Sequence, residues 1–232
     1  MPLDTQARLW EYYQNQRPES FSWAAPRLAF LAAEVARIAH GRRLRVLTIG
    51  AGDSSLEQRL LAAGHEVTTV DLDEKTVARL RDIGVTGIHG SLIDVAPFDE
   101  SFDVAVASEV LEHIDNAELP DSLQTLVRAL RRGGLLLVTV PRQEDLARSM
   151  SMCPNCGHRY HTWGHRQSFT RESLAQNLRD AGFRDIVIRE RMFVNYRMLN
   201  WGGRLVHFLR HASWRVFRRP NSSLKYYAVS TK

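Results

Sequence analysis

Short apolar runs alternate along this chain with segments in which apolar residues return every three or four positions. The runs are Val46-Leu47-Thr48-Ile49, Glu66–Val70, Phe102–Ala107 and Leu135–Val140, the last being the most apolar, with a weaker one at Gly84–His89. Runs of this length and composition predict strands of a buried sheet. Between them, Leu56, Leu60 and Leu61 fall on one face of a helix, and 74–81 and 119–132 also have helical character. Upstream, Leu28, Leu31, Val35 and Ile38 stripe a helix over 23–40, and 5–17 predicts another carrying Trp10, Tyr12 and Tyr13. Those aromatics either close over a ligand or pack the helix onto the sheet. Strands alternating with helices define an α/β fold, a doubly wound parallel sheet with helices on both faces. Its ligand belongs at the carboxyl ends of the strands, where Gly50, Asp71, Ser91 and Glu109 converge.

Composition adds bounds rather than a function. The 232 residues suit one domain, 1–232, with a helical cap at 1–40. The opening MPLDTQARLWEYYQNQ has no signal-peptide core, and no apolar run reaches the length of a membrane span. Both cysteines sit in one CxxC, so no disulfide framework is expected and the cytoplasm is the default compartment. The net charge of +5 is unevenly placed: from Arg191 onward there are nine Lys/Arg and no Asp or Glu, against 22 basic and 26 acidic residues before it.

The stretch Arg45–Asp73 carries the clearest chemistry. A strand runs into Gly50-Ala51-Gly52, where the chain turns sharply and a ligand can approach the backbone. Ser54 or Ser55 then caps a helix, Gly64 ends it, and a second strand closes on Asp71, 21 residues after Gly50. A helix N-terminus offering amides and an acid suited to a ribose diol make a nucleotide-binding half-fold.

With VLTIGAGDS, VTTVDLDEKTV, GSLIDVAPFDESFDVAVASEVLEHI and LRRGGLLLVTVP in order, followed by GHRQSFTRESLAQNLRDAGF, the chain resembles the class I S-adenosylmethionine-dependent methyltransferases, in their small-molecule and quinone-biosynthesis branch. The resemblance covers about residues 40–193. It implies a Rossmann-like, seven-stranded sheet, mostly parallel with an antiparallel last strand, and 225–230 fits that strand. It also implies S-adenosylmethionine as cofactor, held at Thr48, Gly50, Gly52, Asp71, Leu72, Ser91, Leu92 and Glu109. Gly50 and Gly52 would admit its methionine end, Asp71 would bind the ribose, Ser91 and Leu92 would flank the adenine, and Glu109 would begin the active-site loop. Three positions depart from the family pattern: Thr48 and Ser91 stand where it has acids, and Ser54 near where it has a third glycine. A neutral hydroxyl is a poorer partner for an ammonium than a carboxylate is.

Methyl transfer from a sulfonium needs little beyond in-line placement and removal of the acceptor's proton. His113 and His165 are the candidate catalytic bases, each with a structural reading beside it, and Arg27 is a candidate partner for a carboxylate. A segment over 142–168 carries Cys153, Cys156, His161 and His165 spaced as C-x2-C-x4-H-x3-H. That pattern predicts either a structural zinc held by all four, or a reduced thiol pair in a lid whose histidines serve the substrate pocket. His165 cannot readily do both.

The basic segment 194–222 precedes the last strand. Over 197–219, Trp201, Leu205, Phe208, Leu209, Ala212 and Val216 share one helical face, with Arg204, His207, Arg210, His211, Arg215, Arg218 and Arg219 largely around it. Such a helix lies on anionic lipid or receives a lipid-linked substrate, or it packs on the domain or a second copy in a homodimer. Nucleic acid is disfavoured, because the basic run contains no recognisable binding motif. The expected activity is methylation of a small-molecule acceptor, at a hydroxyl of a saccharide, lipid-linked precursor or specialised metabolite. The rivals are a non-catalytic cofactor-binding or zinc-containing interaction module and a nicotinamide-dependent oxidoreductase.

Overall fold

The computed structural model describes residues 3–93, 99–217 and 223–232, without the side chains of 3–7 and 213–217. Helices α1 (Leu3–Gln16) and α2 (Ala25–Ala39) precede the sheet and are joined by a 3-10 turn at Pro18–Ala24. Then follow β1 (Arg45–Ile49), α3 (Ser55–Ala62), β2 (Glu66–Asp71), α4 (Glu74–Asp82), β3 (Thr86–His89) and β4 (Phe102–Ser108). The second half comprises α5 (Leu119–Ala129), β5 (Leu130–Pro141), a small hairpin of β6 (Met150–Met152) and β7 (Arg159–His161), α6 (Arg171–Asp180), β8 (Arg184–Met192), α7 (Trp201–Phe217) and β9 (Leu224–Thr231).

Seven strands form one sheet in the order β3-β2-β1-β4-β5-β9-β8. The first five pair in parallel, and β9 inserts antiparallel between β5 and β8. The expected seven-stranded architecture is therefore present. Leu31, Val35, Val46, Leu60 and Val104 belong to one buried apolar cluster, and Leu47, Ala105, Leu126, Leu136 and Phe169 to another. Thus β1, β4 and β5 contribute to both, as near-continuous apolar strands must.

One boundary and one cap depart from expectation. The helix predicted over 119–132 ends at Ala129, because Leu130 already pairs with Phe102 and opens β5. Ser54 is the N-cap residue of α3 but makes no side-chain cap bond, and its backbone is left-handed at φ 61°. Its neighbour Asp53 supplies an acceptor instead, taking the Ser55 N–H at 3.1 Å.

Candidate active site

At the carboxyl ends of β1, β2 and β4 lies a cavity of about 950 Å3. All eight expected cofactor positions line it: Thr48, Gly50, Gly52, Asp71, Leu72, Ser91, Leu92 and Glu109. So do both candidate bases, His113 and His165. The volume is near the upper end of the usual ligand-site range of about 300–1,000 Å3, enough for a nucleoside and an acceptor together.

The glycine turn is shaped by backbone demands. Gly50 and Gly52 take φ of 69° and 55°, and a Cβ on Gly52 would stand 3.0 Å from the Phe21 ring. Asp71 ties this turn to the end of β2: Oδ2 accepts the Ala51 N–H at 2.7 Å and the Gln14 side-chain amide at 3.1 Å, and Oδ1 accepts the Asp73 N–H at 2.8 Å. Burial pushes the Asp71 carboxyl up, against the pull of these hydrogen bonds. The residues present therefore fit a nucleotide-bearing ligand.

Thr48, where the family has an acid, bonds to Thr69 at 2.7 Å between hydroxyls. A carboxylate stands nearby all the same. Glu57 of α3 is fully buried close to Thr48, and burial pushes its carboxyl up to about 7. The sequence pattern did not single it out, because position 57 reads as an exposed helical glutamate.

On the acceptor side, Glu109 follows β4 with a left-handed backbone, φ 56°. Its Oε2 meets Lys225 Nζ at 2.5 Å and Arg27 Nη1 at 4.0 Å. Burial opposes ionisation of Glu109, but Lys225 and Arg27 outweigh it and hold the carboxyl below its ordinary value. Arg27 does meet a carboxylate, and its Nε also donates to Ser108 Oγ at 3.0 Å. Lys225 was not anticipated, since only the antiparallel insertion of β9 brings residue 225 beside residue 109. The N-terminal aromatics divide: Trp10 and Tyr13 line the cavity, whereas Tyr12 is exposed. Tyr13 also donates to the Thr162 carbonyl at 3.1 Å, joining α1 to the 142–168 segment.

Three histidines cluster here with unequal prospects. Burial pulls His113 down to about 3, and its ring packs edge-on against Trp10 and His165. It stays neutral and is a feeble proton acceptor. His165 is different, because Glu144 Oε2 bonds its Nδ1. Burial works against the Glu144 carboxylate, yet His165 and His161 hold it below its ordinary value, so it is the acceptor of the His165 Nδ1–H. Nε2 is then left as the ring's proton acceptor. Glu112, next to His113 in the chain, is buried, and burial, reinforced by the charge of Glu109, pushes its carboxyl well above the ordinary value.

The four residues expected to hold zinc do not converge. The β6–β7 pairing puts Met150 opposite His161 and Met152 opposite Arg159, so Cys153 and Cys156 stand at the hairpin tip. Among the described residues, His161 and His165 group with Glu144, and His165 also with Glu112 and His113, and neither group includes a thiol. The Glu144 group is itself poorly disposed toward a metal. His161 Nδ1 accepts the His165 backbone N–H at 3.1 Å, so the neutral ring carries its proton on Nε2 and offers no lone pair there. Of the two histidines, His165 lines the cavity, while His161 is buried behind it and holds its backbone N–H.

Comparison with known proteins agrees with this geometry. A family profile described as "Methyltransferase domain" matches residues 16–187. The chain belongs to the class I S-adenosylmethionine-dependent methyltransferase family. It is 33% identical over 106 residues to an uncharacterized methyltransferase of Staphylococcus carnosus, covering 45% of this chain and 49% of that one. It is 26% identical over 173 residues to a ubiquinone biosynthesis O-methyltransferase of Agrobacterium fabrum, covering 68% and 66%. The matches thus span less than two thirds of these curated relatives. Among solved structures, Burkholderia thailandensis 1,6-didemethyltoxoflavin-N1-methyltransferase, with its substrate and S-adenosylhomocysteine bound, superposes with a TM-score of 0.65 at 18% identity, over 98% of this chain and 88% of that one. A SAM-dependent methyltransferase from Archaeoglobus fulgidus gives 0.60 at 17% identity, over 90% and 97%.

Proposed function

We propose that this chain transfers a methyl group from S-adenosylmethionine to a hydroxyl of a small-molecule acceptor, of the saccharide, lipid-linked or specialised-metabolite kind. The observation that carries the reading is one cavity that holds every expected cofactor position together with a histidine oriented by a carboxylate. The Gly50–Gly52 backbone would hold the methionine end. Asp71 would take a ribose hydroxyl on the one position left of the roughly four lone-pair sites of a carboxylate. Ser91 and Leu92 would flank the adenine.

When bound, the cofactor supplies an electrophilic methyl on a sulfonium. The chain contributes placement and the removal of one proton. A neutral amine already presents a lone pair, whereas a hydroxyl must give up its proton as it attacks. In this reading His165 Nε2 would take that proton, with the Glu144 carboxylate fixing the tautomer and stabilising the imidazolium that results.

Calorimetric titration with S-adenosylhomocysteine, with NADH and NADPH as controls, tests the cofactor. Hydroxyl acceptors are then screened with methyl-labelled donor. Micromolar binding that Asp71→Ala abolishes, followed by label transfer, is the expected result. Heat from NADH alone, or none from any ligand, would overturn the reading.

A further inference from the structure

Helix α7 is built inside out. A helix on a globular domain normally turns its apolar stripe to the core. Here the residues turned toward the domain are Gly203, His207 and His211, spaced four apart and partly buried. His207 lines the cavity, and His211 Nδ1 lies 3.2 Å from Met192 Sδ. The apolar residues face outward instead: Trp201 is 81% exposed, Phe208 65%, Leu209 57%, and Leu205 and Val206 nearly half. Arg204 and Arg210, both exposed, border this arc on its two sides. Val216, Arg215, Arg218 and Arg219, which the sequence groups with this helix, lie outside the described residues or side chains.

The charge around this surface selects its occupant. From Arg191 to Lys232 there are nine basic residues and no acid. A second copy packed on α7 would bring two like-charged rims together with no carboxylate between them. An anionic lipid surface meets both features at once, taking the apolar arc below its headgroups and the arginines at their level. The cavity also reaches this helix: Phe193 and Val194 before it, His207 within it, and Ser223 to Lys225 after it all contribute to its wall. None of the described helices is long and apolar enough to cross a membrane, so this contact is peripheral.

We propose that α7 docks the protein on an anionic membrane surface, apolar arc inward, so that the cavity receives an acceptor held at the lipid–water interface. The docking stands on the helix alone, and only the acceptor half rests on the methyl-transfer reading.

The test is co-sedimentation of the full chain with phosphatidylcholine vesicles, with and without phosphatidylglycerol, alongside calorimetry with S-adenosylhomocysteine on the same samples. Binding is expected only with phosphatidylglycerol and is expected to weaken with salt. Trp201→Asp/Phe208→Asp should lower partitioning at least about tenfold, and Arg204→Glu about fivefold or more, with S-adenosylhomocysteine affinity unchanged. Vesicle binding that ignores these substitutions, or no binding by the wild type, overturns the proposal. So does a lipid-free dimer that Trp201→Asp/Phe208→Asp dissociates, or retention on heparin without vesicle binding. Loss of cofactor affinity in the wild type would instead strike the methyl-transfer reading and leave the docking result standing.

Discussion

The Glu144 carboxylate bonds to Nδ1 of His165 across 21 residues of chain, and the lone pair of the ring is thereby left on Nε2. In the proposed function this carboxylate–imidazole pairing is what would hold His165 as a general base. His165→Ala should lower kcat by about 10²–10⁴-fold. Glu144→Gln should lower it at least about tenfold, because the amide can impose the wrong tautomer. Both variants should bind S-adenosylhomocysteine as the wild type does, since neither touches the glycine turn. A purely structural role would weaken binding and catalysis together, and calorimetry beside steady-state kinetics separates the two.

Ser54 occupies a left-handed conformation at φ 61°, near where the family has a glycine. A side chain there costs about 1–2 kcal/mol, partly offset by the greater unfolded-state freedom of glycine. Ser54→Gly should therefore stabilise the fold by about 0.5–1 kcal/mol and raise Tm by about 1–4 °C. Ser54→Val should lower it. Thermal melts of the two variants check the sign.

The parts of this site that lie close in sequence were legible before the structure. The β1 run, the two glycines and Asp71 sit within one strand-helix-strand unit, so spacing alone brings them together. Pairs made by strand order were not. Lys225 reaches Glu109 only because β9 enters between β5 and β8, and Glu144 finds His165 only once the segment between them folds back. The C-x2-C-x4-H-x3-H spacing misled for a related reason. Spacing counts residues along the chain, while the β6–β7 ladder holds the thiols at one end and His161 at the other. For α7 the periodicity revealed two faces, but which one looks inward depends on what the neighbouring elements offer.

Glu57 makes stability depend on pH. Its carboxyl titrates near 7 when folded, because burial disfavours the charge, and near the ordinary 4.5 when unfolded. Between those values the folded state binds more protons than the unfolded one, so stability falls as pH rises through this window and levels off above it. A shift of this size corresponds to roughly 3 kcal/mol. Glu57→Gln should remove that slope, leaving the variant more stable than the wild type at pH 8 by more than at pH 5. Urea unfolding at the two pH values measures it, and equal slopes in both proteins would refute the assignment.

Lys225 and Glu109 are both largely buried, with side-chain exposures of 16% and 14%. Taking a charged group out of water is costly, and removing one member of such a pair leaves the other without compensation. Lys225→Met should thus destabilise by about 3 kcal/mol, less whatever Arg27, at 4.0 Å, can recover for Glu109. Glu109→Gln should cost a comparable amount, because Lys225 and Arg27, with side-chain exposures of 16% and 15%, are then left without the carboxylate between them. Combining Lys225→Met with Glu109→Gln should recover part of the loss, since only Arg27, whose Nε donates to Ser108 Oγ at 3.0 Å, is then left without the carboxylate. A double-mutant cycle in urea reads the coupling directly. If the double variant is merely the sum of the singles, Lys225 acts through packing in β9 rather than through its charge.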